Sequence, residues 1–86
     1  MNIFTVYVLY SAKFDKIYIG YTSNLLERFQ SHNELSKKGY TVKYRPWIVC
    51  YCEWFEAKKE AIKREKQLKS ARGRQFLWDH IHRHFK

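Results

Sequence analysis

Ile3-Phe4-Thr5-Val6-Tyr7-Val8-Leu9-Tyr10, then Ser11-Ala12-Lys13-Phe14-Asp15-Lys16, then Ile17-Tyr18-Ile19-Gly20-Tyr21-Thr22: this stretch decides the fold. The first segment is rich in β-branched and aromatic residues without helical spacing, so it reads as a strand. The second is a polar connection of hairpin length, and the third is a strand antiparallel to the first. Gly20 stands inside that second strand, where glycine marks a bulge or a close approach by another backbone or a ligand.

Downstream, Ser23 or Asn24 caps a helix expected to run to about His32 or Asn33, with Leu25, Leu26 and Phe29 as its apolar stripe. Glu34 to Arg45 is polar and reads as a loop. Trp47 to Phe55 reads as a third strand, whose alternation puts Ile48, Cys50, Cys52 and Trp54 on one face. Glu56 to Lys69 has helical spacing, with Ala57, Ala61, Ile62 and Leu68 apolar. After a break at Ser70 to Gly73, a last helix is expected over Arg74 to Phe85, facing inward through Leu77, Trp78, Ile81 and Phe85. The expected order is ββαβαα, a small three-stranded antiparallel sheet flanked by helices, class α+β.

A chain of 86 residues leaves room for one domain and one core, taken here as residues 1–86. With 45% hydrophobic and 29% charged residues the composition is globular. No apolar run approaches the ~18 residues of a membrane span, and the first apolar stretch lacks the basic leader and cleavage site of a secretory signal. A soluble, cytoplasmic protein with no membrane partner is the expectation. Cys50 and Cys52 are too close together for an ordinary stapling disulfide, in keeping with a reducing compartment.

Charge separates the two ends of the chain. Residues 1–57 carry seven basic and five acidic side chains, whereas residues 58–86 carry ten and three. A small domain with one strongly positive end fits a polyanionic partner, nucleic acid first. Lys58, Lys63, Lys66, Lys69, Arg72 and Arg74 are the expected contacts to its backbone. The plainer alternative is a solvated, solubilising helix face. Six Phe, three Trp and seven Tyr exceed the needs of so small a core, which leaves aromatic rings for a ligand.

Three groupings carry chemistry. At about 100° per residue, Glu65 falls inside the apolar arc formed by Ala57, Ala61 and Ile62, so its carboxylate needs a cation. That cation is a metal or a neighbouring Arg; the plainer alternatives are a structural pair with Lys69 or Arg64, or a rim position that reaches solvent. Arg28 and His32, four residues apart, share a helix face and suit phosphate recognition and proton handling. Tyr7 and Tyr18 can converge from the two hairpin strands, with Tyr10 and Tyr21 competing for that description and core filling as the plainer role. Cys50 and Cys52 with His80, His82 and His84 raise the question of zinc. The C-x-C spacing is not a usual zinc spacing, however, and buried reduced cysteines account for it better.

Taken together, Thr5-Val6-Tyr7, Tyr18-Ile19-Gly20, Thr22, Arg28, His32 and Asn33, followed by the helix Glu60-Ala61-Ile62-Lys63-Arg64-Glu65-Lys66-Gln67-Leu68-Lys69, resemble the GIY-YIG endonuclease superfamily. The resemblance covers roughly residues 3–78. It is strongest to small single-domain bacterial members, themselves similar to the N-terminal nuclease domain of the excision-repair subunit UvrC. It implies a central three-stranded antiparallel sheet and a DNA endonuclease using one divalent cation, Mg²⁺ or Mn²⁺. DNA repair is the expected setting; so short a chain is expected to have little sequence preference, its specificity coming from DNA shape, branched or damaged, or from a partner protein. Tyr7 and Tyr18 then correspond to the motif tyrosines and Gly20 to the motif glycine. Arg28 corresponds to the transition-state arginine, His32 to a histidine present in some members, and Glu65 to the metal ligand. Either Tyr7, the preferred choice, or Tyr18 would activate water.

The sequence departs from the pattern in three places. Thr5-Val6 replaces Gly-Ile, Tyr21 stands where some relatives have lysine, and Leu77 stands where many have asparagine. The last departure motivates the alternative of a nucleic-acid-binding module that keeps the fold without the catalysis.

Overall fold

The computed structural model describes residues 3–86. Its sheet has the order β2-β1-β3, all antiparallel: β1 (Phe4–Ser11) is flanked by β2 (Lys16–Thr22) and β3 (Ile48–Phe55). Being central, β1 is covered on both faces, which is why it has no polar-out alternation. Val6, Val8 and Tyr10 point one way, with Ile17, Ile19 and Cys50, onto Ala61, Leu68, Leu77 and Ile81. These four come from α3 (Lys58–Lys69) and α4 (Ala71–His84). Tyr7 and Leu9 point the other way and pack with Trp47, Tyr18, Leu25 and Phe29. That second face is covered by α1 (Leu25–Gln30), a π-helical turn (Ser31–Leu35) and a single turn, α2 (Tyr40–Lys43).

The α+β class and the three-stranded sheet hold, and four boundaries move. Asn24 does cap α1, its side chain accepting from the Glu27 N–H at 3.1 Å, but α1 ends at Gln30 and widens into the π turn. Arg45 holds the freed carbonyls: Nε donates to the His32 oxygen at 2.8 Å, and Nη2 donates to those of Ser31 and Ser36 at 3.2 and 2.7 Å. Within the expected loop, α2 forms because Thr41 is bonded from two sides, by His32 and by Trp47 Nε1. Neither cause is local, so neither appears in the spacing of apolar residues.

A bulge alters the third strand. Leu9 pairs with Val49 and Val8 with Tyr51, leaving Cys50 as the extra residue. Consequently Cys50 packs on the α3–α4 face and Cys52 on the opposite one, against the expectation of a shared face. Burial pushes the Cys50 thiol up to about 12, and the Cys50 carbonyl is 2.9 Å from His80 Nε2.

The last two helices meet at one residue, Ser70, rather than across a four-residue break. Ser70 Oγ donates to the Gln67 carbonyl at 2.6 Å and accepts from the Gly73 N–H at 3.2 Å, ending one helix and starting the next. A Cβ on Gly73 would lie 2.2 Å from the Gln67 oxygen, so glycine is what lets α4 begin so close to α3. Phe85, expected to face inward, is exposed, since α4 ends at His84.

Candidate active site

The site is assembled on the hairpin. Tyr7 on β1 lies directly opposite Gly20 on β2. A Cβ at position 20 would lie 2.7 Å from the Tyr7 oxygen and 2.9 Å from Cζ. Gly20 is thus the vacancy that the Tyr7 phenol occupies, and the close approach expected there comes from the protein's own side chain. Tyr18 flanks it, ring centroids 6.2 Å apart.

The π turn then carries His32 down onto the two tyrosines. Its Nε2 is 2.8 Å from the Tyr7 oxygen and its Nδ1 is 3.1 Å from Thr41 Oγ1. The His32 ring centroid is 4.6 Å from that of Tyr18. Arg28, one turn earlier on α1, lies beside both phenols and raises no barrier to solvent, being exposed itself. Because a guanidinium only donates, we assign the phenol O–H of Tyr7 to donate to Nε2, and Nδ1–H to donate to Thr41. His32 is buried in this arrangement with both ring nitrogens engaged.

Electrostatics fix the resting protonation. Burial pushes the Tyr7 phenol up to about 12, and nearby Tyr18 and Glu65 add to the rise while Arg28 opposes it. His32 moves the other way, below its usual value, because burial and the charges of Arg28 and Arg45 disfavour imidazolium. At neutral pH the pair is therefore a protonated phenol donating to a neutral imidazole. Arg28 alone does not make Tyr7 a phenolate.

Glu65, on α3, lies near enough for its charge to add to the rise at the Tyr7 phenol. Its side chain is 15% exposed and is paired with Lys69 at 3.2 Å, the first of the two structural partners the helix geometry allowed. Arg64, the second, is bound instead to Glu53 at 2.9 Å. Among the described residues no group of three or more His, Cys, Asp or Glu is gathered to hold a metal. A lone carboxylate suits a hard cation that keeps most of its waters and takes further oxygens from a phosphate, so Glu65 fits Mg²⁺ or Mn²⁺ as a single anchoring ligand.

The six basic residues are all exposed but do not share one surface. Lys69 and Arg74 line a cleft of about 290 Å³ with Tyr18 and Tyr40, adjoining the tyrosine cluster. Lys63 and Arg72 line grooves elsewhere on α3 and α4. Lys58 lies on the Glu65 side of α3 by helical phase, and Lys66 about 100° around from it. Leu77, where asparagine was considered, is fully buried in the core and points away from any solvent-filled site. Thr41, Arg45 and Tyr40 belong to the site and lay unread in the expected loop. Asn33, present in the motif, accepts from the Trp47 N–H at 2.8 Å and so ties the π turn to the start of β3.

Comparison with known proteins agrees with this fold. Residues 3–77 match the GIY-YIG catalytic domain. A UPF0213 protein of Limosilactobacillus reuteri is 40% identical over 80 residues, covering 87% of this chain and 82% of the relative. One of Staphylococcus haemolyticus is 36% identical over 72 residues, covering 84% and 87%. The solution NMR structure of a UPF0213 protein from Bacillus halodurans superposes with a TM-score of 0.54 at 25% identity, covering 90% of this chain and 83% of that one. No helix among the described residues is long and apolar enough to cross a membrane. With the domain matched from the first strand into the last helix, and relatives aligned over most of their length, the chain belongs to the GIY-YIG catalytic domain family, a nuclease family whose substrate is nucleic acid.

Proposed function

We propose that the protein is a divalent-metal-dependent endonuclease that hydrolyses DNA phosphodiester bonds. The observation that carries this reading is the Tyr7–His32 hydrogen bond of 2.8 Å, set beside Arg28. As water loses its proton to the Tyr7 oxygen, Tyr7 passes its own proton to His32 Nε2, so no free phenolate has to exist beforehand. Thr41 holds the imidazole in the tautomer that accepts. Arg28, the exposed member of the group, meets the phosphate and sets its planar fork against a non-bridging oxygen as negative charge builds. Glu65 would hold the cation, which when bound supplies Lewis-acid stabilisation of the phosphate and the leaving 3′ oxygen. Tyr18, half-buried beside Tyr7, orients water or phosphate, and is the other candidate base.

Incubation with plasmid, branched and single-stranded DNA, with Mg²⁺ or Mn²⁺ and with EDTA, tests the proposal. Nicking that requires the metal and disappears in Glu65→Ala is the expected result. Unchanged nicking in Glu65→Ala overturns the ligand assignment.

A second reading, a binding module without catalysis, is favoured by the burial of Leu77, which leaves that position unable to supply a polar group. Binding that weakens steeply with salt, with no turnover under any metal, would establish it.

A further inference from the structure

The cleft lined by Ile17, Tyr18, Ile19, Tyr40, Lys69 and Arg74 has a composition the chemistry of cleavage does not require. One wall is aromatic. Tyr40 is 45% exposed despite its size, yet its position is fixed. Its hydroxyl donates to the Ile17 carbonyl at 3.3 Å, and its ring lies 4.8 Å from Tyr44 and 6.1 Å from Trp47, centroid to centroid. The other wall is cationic. Arg74 is anchored by Nε to the Lys69 carbonyl at 3.1 Å, which leaves its Nη groups for a ligand, and Lys69, whose Nζ is paired with Glu65 at 3.2 Å, lines the same wall. Tyr18 belongs both to this cleft and to the catalytic cluster, its ring 6.4 Å from Tyr40, so the two are continuous.

We propose that this cleft is a nucleotide subsite next to the scissile phosphate, in which the Tyr40 ring stacks an unpaired base while Lys69 and Arg74 hold the adjoining phosphate. It rests on the nuclease reading and narrows it: the substrate is nucleic acid with an unpaired or splayed nucleotide beside the cut. Bases inside a duplex have both faces covered, so a recessed ring is useful only to a base already out of the stack. The volume of about 290 Å³ suits one nucleotide and not a base pair. Lys69 and Arg74 donate to a phosphate and not to a base edge, so the subsite selects structure over sequence.

The test is fluorescence anisotropy with labelled single-stranded, blunt duplex and 5′-flap oligonucleotides, in EDTA so that cleavage plays no part. Wild-type protein should prefer the single strand and the flap. Tyr40→Leu keeps apolar volume without a π-face, and should weaken both by on the order of tenfold while leaving the blunt duplex unchanged. Tyr40→Phe should bind as wild type. Arg74→Gln should reduce the salt dependence of flap binding by about one counterion. Melting temperatures of the variants close to wild type confirm that the fold is intact. Flap affinity unaltered in Tyr40→Leu, or lost equally for the blunt duplex, overturns the subsite and leaves the nuclease reading standing. Absence of wild-type binding to all three oligonucleotides overturns both.

Discussion

The two faces of one three-stranded sheet are built on opposite rules. On the α3–α4 side, β1 contributes Val6 and Val8 to a layer completed by Ala61, Leu68, Leu77 and Ile81. On the other side, the alternate residues of the same strand lead to Tyr7, and through it to His32 and Thr41, a buried polar chain in which every donor is answered. Among the described residues no buried side-chain nitrogen or oxygen lacks a partner. The first face is held by burial area, which any apolar side chain of similar volume can supply. The second is held by hydrogen bonds of fixed direction, for which few substitutes exist. A single strand therefore supports an apolar core on one face and a polar cluster, proposed to be the reactive one, on the other, and substitutions ought to divide accordingly.

The sharpest division is expected at Tyr7. Tyr7→Phe removes one hydroxyl and keeps the ring, so cleavage should fall by ~10²–10⁴ if Tyr7 is the base, while unfolding should lose only about 1–3 kcal/mol for the orphaned His32 Nε2. Tyr18→Phe should cost less. Equal mild losses in the two variants would mean that neither phenol takes the proton.

Arg28→Ala comes next, with a rate loss of ~10²–10³ and a much smaller loss of DNA affinity. Arg28→Lys should recover only part of that rate, since it restores charge without the fork. Normal turnover in a variant that binds poorly would reduce Arg28 to a positioning residue.

On the opposite face, Leu68→Ala should cost ~2–5 kcal/mol in denaturant unfolding while the folded fraction cleaves at the wild-type rate. A selective loss of rate there would break the division between the faces.

Acid provides a gentler probe of the polar face alone. His32 has its folded-state pKa lowered, so below its ordinary value near 6.5 the unfolded chain binds the proton more readily than the native one. Stability contributed by neutral His32 is present above that pH and is lost as pH falls from it to the lowered folded-state value, and activity should fall only at that lower pH, where the native imidazole becomes imidazolium and cannot accept from Tyr7. For Tyr7, raised to about 12, the sign reverses: its contribution is present below pH ~10 and is lost as pH rises towards 12. His32→Gln should flatten the acid limb in both a stability and a rate profile.

Thr41→Val, the smallest change, should cost about 1 kcal/mol by removing the hydroxyl next to Nδ1, and should weaken cleavage only through the orientation of His32. A Thr41→Ser variant restoring the rate would distinguish the hydroxyl from the methyl group.

The faces also differ in how far they could be read from the residues. The β-branched and aromatic runs of β1 and β3 and the spacing of Ala61, Leu68, Leu77 and Ile81 announced the sheet and the α3–α4 layer, because burial leaves a trace in residue type and period. The motif tyrosines, Gly20, Arg28, His32 and Glu65 were visible as a pattern of types and spacings. Their supports were not. Nothing local in Ser31–Leu35 foretells a π turn that depends on Arg45 ten or more residues away, and a single-turn helix at Tyr40–Lys43 is too short for periodicity to register. The bulge at Cys50 defeated strict alternation for the same reason, since it is set by pairing with a strand some forty residues earlier.

The joint at Ser70 couples the two faces in length as well as in position. One residue separates α3 from α4, and Gly73 seats the second helix on the end of the first. Inserting or deleting a single residue at this joint would rotate everything after it by about 100° about the helix axis. Leu77 and Ile81 would then swing out of the core in the same movement that takes Arg74 away from the Tyr40 cleft. The spacing between the carboxylate helix and the basic helix is in this sense a gear ratio: side chains along either helix can be exchanged singly, but the count of residues between them cannot drift by one without disengaging the core and the substrate groove together.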